Sequence, residues 1–93
     1  MKIPHVRIKS VSPVATGMLL ISWDDSVTRD VDVTPWMARH VLLEMLNDPA
    51  VFRDVSVVNN GGGLEWANGV DFCAQALRIL SDEQVELKAR MTA

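Results

Sequence analysis

Cysteine is nearly absent from this sequence: Cys73 stands alone among 93 residues. A lone cysteine excludes an internal disulfide, and no paired Cys or His spacing of a zinc site accompanies it. Clusters of one charge are missing too. Nine Lys and Arg are scattered among twelve acids, for a net charge of −3. That leaves no basic stripe for nucleic acid and no polybasic segment for anionic lipid. Apolar runs such as Met18-Leu19-Leu20-Ile21 last a few residues, far short of the ~20 that a membrane-spanning helix needs. The first residues carry a charge and lead into no apolar stretch, so no secretory signal is expected. There is no tyrosine; three tryptophans and two phenylalanines hold all the aromatic surface. What is there is an apolar fraction of 48%, enough for one globular domain with its own core and no staples. A soluble cytoplasmic protein is the expectation.

The hydropathy pattern predicts an α+β chain. Val6 and Ile8 alternate with His5, Arg7 and Lys9, which predicts a half-buried strand through Ser12. Val11 breaks the phase and marks a bulge or the strand end. Pro13 to Gly17 reads as a connection. Met18 to Trp23 is apolar on both faces and belongs in the middle of a sheet. Asp24-Asp25-Ser26 closes a turn, after which Val27, Val31 and Val33 alternate with Thr28, Asp30 and Asp32. Arg29 interrupts the inner row and points to a sheet edge. The connections are too short for crossovers, so the three strands form an antiparallel meander.

Thr34-Pro35 then changes the period, as N-cap and first helical residue. Met37, Ala38, Val41, Leu42, Met45 and Leu46 make one apolar stripe, which predicts a central amphipathic helix ending at Asn47. Arg39, His40 and Glu44 lie opposite; Trp36 and Leu43 fall off the stripe. Asp48-Pro49 repeats the cap-and-proline pattern for a single turn carrying Val51 and Phe52. Val55 and Val57 mark a fourth strand. Asn59-Asn60-Gly61-Gly62-Gly63 reverses the chain into a fifth, Leu64 to Ala67, and the pair is a β-hairpin. Asn68-Gly69 turns the chain again. Asp71 or Cys73 opens a helical segment with Ala76, Leu77 and Leu80 on one face. Ser81-Asp82-Glu83-Gln84 reads as a new capping box. Residues 1–80 are thus one α+β domain and residues 81–93 a C-terminal helical tail, docked, swapped onto a partner or frayed.

The hydrophobic strand ending in Trp23-Asp24-Asp25, the alternating valines, the Pro49-x-x-Phe52-x-x-Val55 segment and Gly62-Gly63-x-x-Trp66-x-Asn68-Gly69-x-Asp71 together resemble a small bacterial family of domains of unknown function, number 2442 in that series. The resemblance spans Val6 to Leu80. Members commonly have glycine where Ser26 stands here. The resemblance implies an α+β fold, a bacterial cytosolic home and no established activity. Some members carry a helix-turn-helix after this module, and a toxin–antitoxin role is suggested for some. The thirteen residues after Leu80 are too few for a helix-turn-helix, so direct nucleic-acid binding is not expected.

Candidate chemistry is sparse. Asp24, Asp25, Asp30 and Asp32 crowd one hairpin, but no calcium-loop spacing is present, and turn closure or solvated charge explains them better. His5 and His40 lack neighbours at ligand spacing and read as surface residues. Cys73 has no adjacent histidine and reads as small core filler. The glycine run leads into a strand containing Glu65, not into a helix with Lys-Ser/Thr, so it is not a phosphate loop. Asn68 and Asp71 could bind a ligand, yet a turn and a helix cap account for them. Trp23, Trp36 and Trp66 are core residues by default; Trp36, beside Leu43, is the one expected at the surface as a protein-binding anchor.

With no nucleophile–base pair, metal motif or implied cofactor, the expectation is a non-enzymatic interaction module. It forms a homodimer or binds a small partner protein, through Trp36, Leu43 or the last helix. The alternative is a small-ligand or metal-binding protein with Glu65, Trp66, Asn68 and Asp71 around the Gly61–Asp71 turn.

Overall fold

The computed structural model describes residues 5–39 and 41–92. It is an α+β fold with two three-stranded antiparallel sheets. The first is the expected meander: β1 (Ile8–Ala15), β2 (Met18–Trp23) and β3 (Thr28–Asp32). β1 runs past Pro13 to Ala15, and its register shifts between Ile8 and Ser10, just before the phase break at Val11. β2 is central, with Leu19, Ile21 and Trp23 buried, but it is open on its other face, where Leu20 is exposed. Covered on one side only, this sheet belongs with antiparallel sheets that face water.

The central helix differs most from expectation. Only Thr34–Met37 is α-helical (α1); after Ala38 and Arg39 the chain resumes as a 3-10 helix over Val41–Asn47. Thr34 is not the cap. Its amide and hydroxyl instead donate to the Asp32 carboxylate, at 2.9 and 2.6 Å. A 3-10 helix has three residues per turn, so Leu43 and Leu46 share a face. Leu46 is buried and Leu43 packs against the core, whereas Val41 and Met45 of the expected stripe point outward. His40 and the side chain of Leu42 lie outside the described residues.

Asp48 and Pro49 behave as read. The Asp48 carboxylate accepts from the Ala50 amide at 2.9 Å and starts α2 (Pro49–Phe52). The second sheet is β4 (Val55–Val58), β5 (Gly63–Trp66) and β6 (Asp71–Cys73). The hairpin is therefore extended by a third strand where a helix start was expected. Ala74–Thr92 then forms one continuous helix, α3. The capping box at Ser81 does not exist: Ser81 is buried within α3, and its hydroxyl accepts from Arg29.

The two sheets meet along β1 and the turn after β4. Arg7 donates to the Asn60 carbonyl at 3.0 Å, and Gln75 to the Val6 carbonyl at 3.4 Å. The left-handed backbone here falls on Asn59, Asn60 and Gly61, not on all three glycines. A Cβ at Gly61 would lie 2.7 Å from the Ile8 carbonyl oxygen. Both sheets, α1, α2 and α3 close on one core, which includes Ile21, Trp23, Val31, Phe52, Trp66 and Leu77.

α3 is held to β3 by polar contacts. Gln84 accepts from the Asp32 amide at 3.0 Å and donates to the Asp32 carbonyl at 2.7 Å. One side-chain amide thus occupies the outward amide and carbonyl of Asp32 at the end of an edge strand, which would otherwise invite another strand. Arg29 reaches Ser81 and Asp82. Arg78 lies over the Trp23 ring, 5.2 Å from its centroid, and ion-pairs with Asp25 at 2.8 Å. The hydrogen bond from Arg78 holds the Asp25 carboxyl below its ordinary value; desolvation opposes this and the guanidinium charge adds to it. The Trp23 indole N–H is buried without a partner among the described residues.

Three outcomes follow for stability. Gly61 and Gly69 share a φ of +87°, but Gly69 faces open space. Gly61→Ala is therefore expected to lower the urea midpoint more than Gly69→Ala, whose cost is the backbone strain of about 1–2 kcal/mol alone. Ser26, at φ 68° in the turn between β2 and β3, carries the same strain. Ser26→Gly should raise stability by up to about 1 kcal/mol, read from the same titration. For Asp25, a folded pKa below the unfolded one gives stability that is present above the unfolded value and lost as pH falls through the folded one. Asp25→Asn should thus lower the melting temperature at neutral pH, and the gap from wild type should close as pH falls below about 4.

Candidate functional site

A groove of about 460 Å³ lies between the Val41–Asn47 segment and the turn into β6. Leu43, Met45, Val70 and Phe72 form its apolar lining, with Asn68 and Asp71 as its polar groups. The Asn68-Gly69 turn builds one wall. The Gly69 amide donates to the Trp66 carbonyl, the Trp66 amide to the Val70 carbonyl, and Asn68 Oδ1 accepts from the Val70 amide at 3.2 Å. The Asn68 side-chain amide meets the Met45 sulfur at 3.7 Å. Asn68 therefore shapes the turn and anchors the opposite wall.

The groove floor belongs to an aromatic chain. Trp36 meets Phe72 edge-on, with ring centroids 4.9 Å apart; Phe72 meets Trp66 at 5.2 Å, and Trp66 meets Phe52 at 5.7 Å. The first two are edge-to-face pairs, which set negative ring faces against positive edges. Trp66 is wholly buried, and its indole N–H donates to the Phe52 carbonyl at 2.8 Å. It is a core residue beneath the site. Trp36 is half-buried rather than a free anchor, because Phe72 covers one side of it.

The structure thus brings Leu43, Asn68 and Asp71 to one groove, puts Trp36 and Trp66 behind it, and leaves Glu65 at its side. Glu65 stands directly opposite Asp71 in the β5–β6 ladder, and both are exposed. Like charges facing each other across strands destabilise the pair. Asp71 lies in β6 and caps no helix. Cys73 is exposed and not core filler, since the strand alternation turns Phe72 inward and its neighbours outward; its thiol meets Gln75 Oε1 at 3.3 Å.

Three acids of the β2–β3 hairpin have local work. Asp24 accepts from the Arg7 amide, Asp25 pairs with Arg78, and Asp32 accepts from Thr34. Among the described residues, no three His, Cys, Asp or Glu side chains lie together as a metal site would require. No described helix is long and apolar enough to cross a membrane.

Sequence reading missed the residues that give the groove its character. Met45 is 50% exposed, although the α-helical period assigns it to a buried stripe. Phe72 falls in the expected helix start and Val70 in the expected turn, so neither is picked out by the sequence pattern. The available signal was the pair set aside as off the stripe: Trp36 and Leu43 pack inward only if the regular α-period fails.

Comparison with curated proteins and with solved structures finds no match. The meander, the hairpin and the Gly-Gly…Trp-x-Asn-Gly-x-Asp run are matched as a unit: the family described as Protein of unknown function (DUF2442) covers residues 8–81, most of the chain, and the chain belongs to it.

Proposed function

We propose that the protein is a small non-enzymatic protein-interaction module of the bacterial cytoplasm, and that the groove between Val41–Asn47 and β6 is its partner face. The observation that carries this reading is the exposure of Met45 in an apolar groove lined also by Leu43, Val70 and Phe72. A contiguous apolar surface of this kind costs solubility, and a partner that covers it recovers about 1.5–3 kcal/mol for each large side chain fully buried. Glu65 and Asp71 supply the electrostatic half. Their unfavourable juxtaposition is relieved by a cation, so the partner segment is one that offers an apolar side chain flanked by Lys or Arg. A toxin–antitoxin-like pair is one setting in which such a module works.

A small-ligand or metal site around Gly61–Asp71 has less support. Asn68 is engaged in its own turn, and the glycine turn is packed against the Ile8 backbone.

The test is co-purification from the native cell. A stoichiometric partner should accompany the wild type and be lost from Met45→Asp, whose exposed position leaves the melting temperature almost unchanged. Glu65→Lys should separate binding from folding. It replaces a repulsive cross-strand pair with an attractive one, raising stability by about 0.2–1 kcal/mol, while weakening partner capture. Equal recovery of the partner by all variants, or no partner for the wild type, would overturn the reading.

A further inference from the structure

The edge of a sheet carries backbone donors and acceptors that another chain can use. Among the described residues the two sheets leave four edge strands: β1, β3, β4 and β6. β1 and β4 lie against each other, and Pro13, with no N–H to donate, blunts the far half of β1. β3 borders a groove of about 810 Å³ between α1, β3 and α3, on the other side of Trp36. Gln84 already holds the Asp32 amide and carbonyl there. β6 is the edge that remains.

Its ladder with β5 fixes which way its backbone points. The Trp66 amide donates to the Val70 carbonyl and the Ala74 amide to the Gly62 carbonyl. The bonded pairs are therefore Trp66–Val70, Leu64–Phe72 and Gly62–Ala74. Asp71 and Cys73, which alternate with them, turn their backbone groups away from β5. The Cys73 carbonyl serves the first turn of α3, which begins at Ala74. Both amides and the Asp71 carbonyl are without a partner among the described residues. Asp71 and Cys73 are both exposed, and the apolar groove borders this edge, since Val70, Asp71 and Phe72 line it with Leu43 and Met45.

Side-chain alternation sets what fits. Phe72 shares one face with Leu64, and Asp71 the other with Glu65. A strand laid along β6 places one side chain opposite Asp71, beside both acids, and its two neighbours on the face of Phe72. A second copy of β6 laid antiparallel would gather two Glu65 and two Asp71 carboxylates on one face, which like charges oppose. The complementary occupant belongs to a different chain and reads apolar–basic–apolar.

We propose that β6 accepts an extended segment of a partner chain as an added antiparallel strand, with Lys or Arg opposite Asp71 and an apolar residue on each side of it. The inference rests on the groove being the partner face, and it specifies how the partner is held. The residue opposite Asp71 exchanges two backbone bonds with it, and the Cys73 amide donates a third.

The test is a titration of the isotope-labelled full chain with the end-capped peptide Thr-Thr-Val-Arg-Val-Thr-Thr, followed by NMR of the backbone amides. The Asp71 and Cys73 amides should shift together and gain protection from hydrogen exchange. Methylating the peptide's Arg nitrogen removes one backbone donor and should weaken binding by about tenfold or more. Glu in place of that Arg should weaken it similarly. Asp71 and Cys73 amides that stay unmoved overturn strand addition. So does a methylated peptide that binds as well as its parent, or no binding of the parent peptide at millimolar concentration. If Met45→Asp still loses the native partner, those outcomes sink strand addition alone. Equal partner recovery by wild type and Met45→Asp, with the peptide bound at Asp71 and Cys73, would instead sink the groove reading and leave the edge as a site of its own.

Discussion

The Trp66 indole is the fixed point around which the second half of the chain is arranged. It is fully buried, where an unpaired N–H would cost about 1–3 kcal/mol, and the Phe52 carbonyl accepts from it at 2.8 Å. That bond ties β5 to the end of α2. The same ring packs against Phe72 on β6, which in turn meets Trp36 at α1. A three-stranded sheet of four-, four- and three-residue strands has little area of its own. It is stable because these aromatic contacts join it to the helices and to the core of the first sheet. The groove beside β6 owes its position to the same constraint: once Phe72 is turned in toward Trp66, Asp71 and Cys73 must face out.

The first sheet solves a different problem. β3 is an edge strand that ends beside α1, and its outward amide and carbonyl at Asp32 would be open to any extended chain. Gln84 takes both. Arg29 and Arg78 carry α3 along the rest of that edge through Ser81, Asp82 and Asp25. The docking of α3 is therefore largely polar on the β3 side and apolar toward the core at Leu77. Polar clamps of this kind fix register, whereas an apolar face alone could slide.

Much of this was legible in the sequence because alternation survives wherever one face of a strand is buried. The meander, the Asp48-Pro49 cap, the hairpin and the Asn68-Gly69 turn all have local causes, and local causes can be read. Three features had none. The break after Met37 depends on where Trp36 and Leu43 find aromatic and core neighbours, and those lie on β6 and in the core. β6 itself is three residues long, too short to show a period. Ser81 and Gln84 carry the pattern of a helix start, but here their side chains are spent on β3, more than fifty residues away in sequence. The α+β class and the groove residues Leu43, Asn68 and Asp71 were thus accessible. Met45, Val70 and Phe72, which with Leu43 give the groove its apolar character, required the tertiary structure.

The two uncovered surfaces meet at one contact, the edge-on pair of Trp36 and Phe72. Trp36 lines the α3 groove and Phe72 the groove beside β6. Adjacency of this kind does not by itself link two binding events. Coupling takes an element with two discrete arrangements, and each ligand must favour one of them. Here Phe72 is held from behind by Trp66, and Trp66 is held by its bond to Phe52. The ring between the grooves is therefore braced by the most deeply buried part of the second sheet, and moving it would cost that desolvated hydrogen bond. The partition between the two grooves is thus rigid, and occupation of either would leave the affinity of the other unchanged.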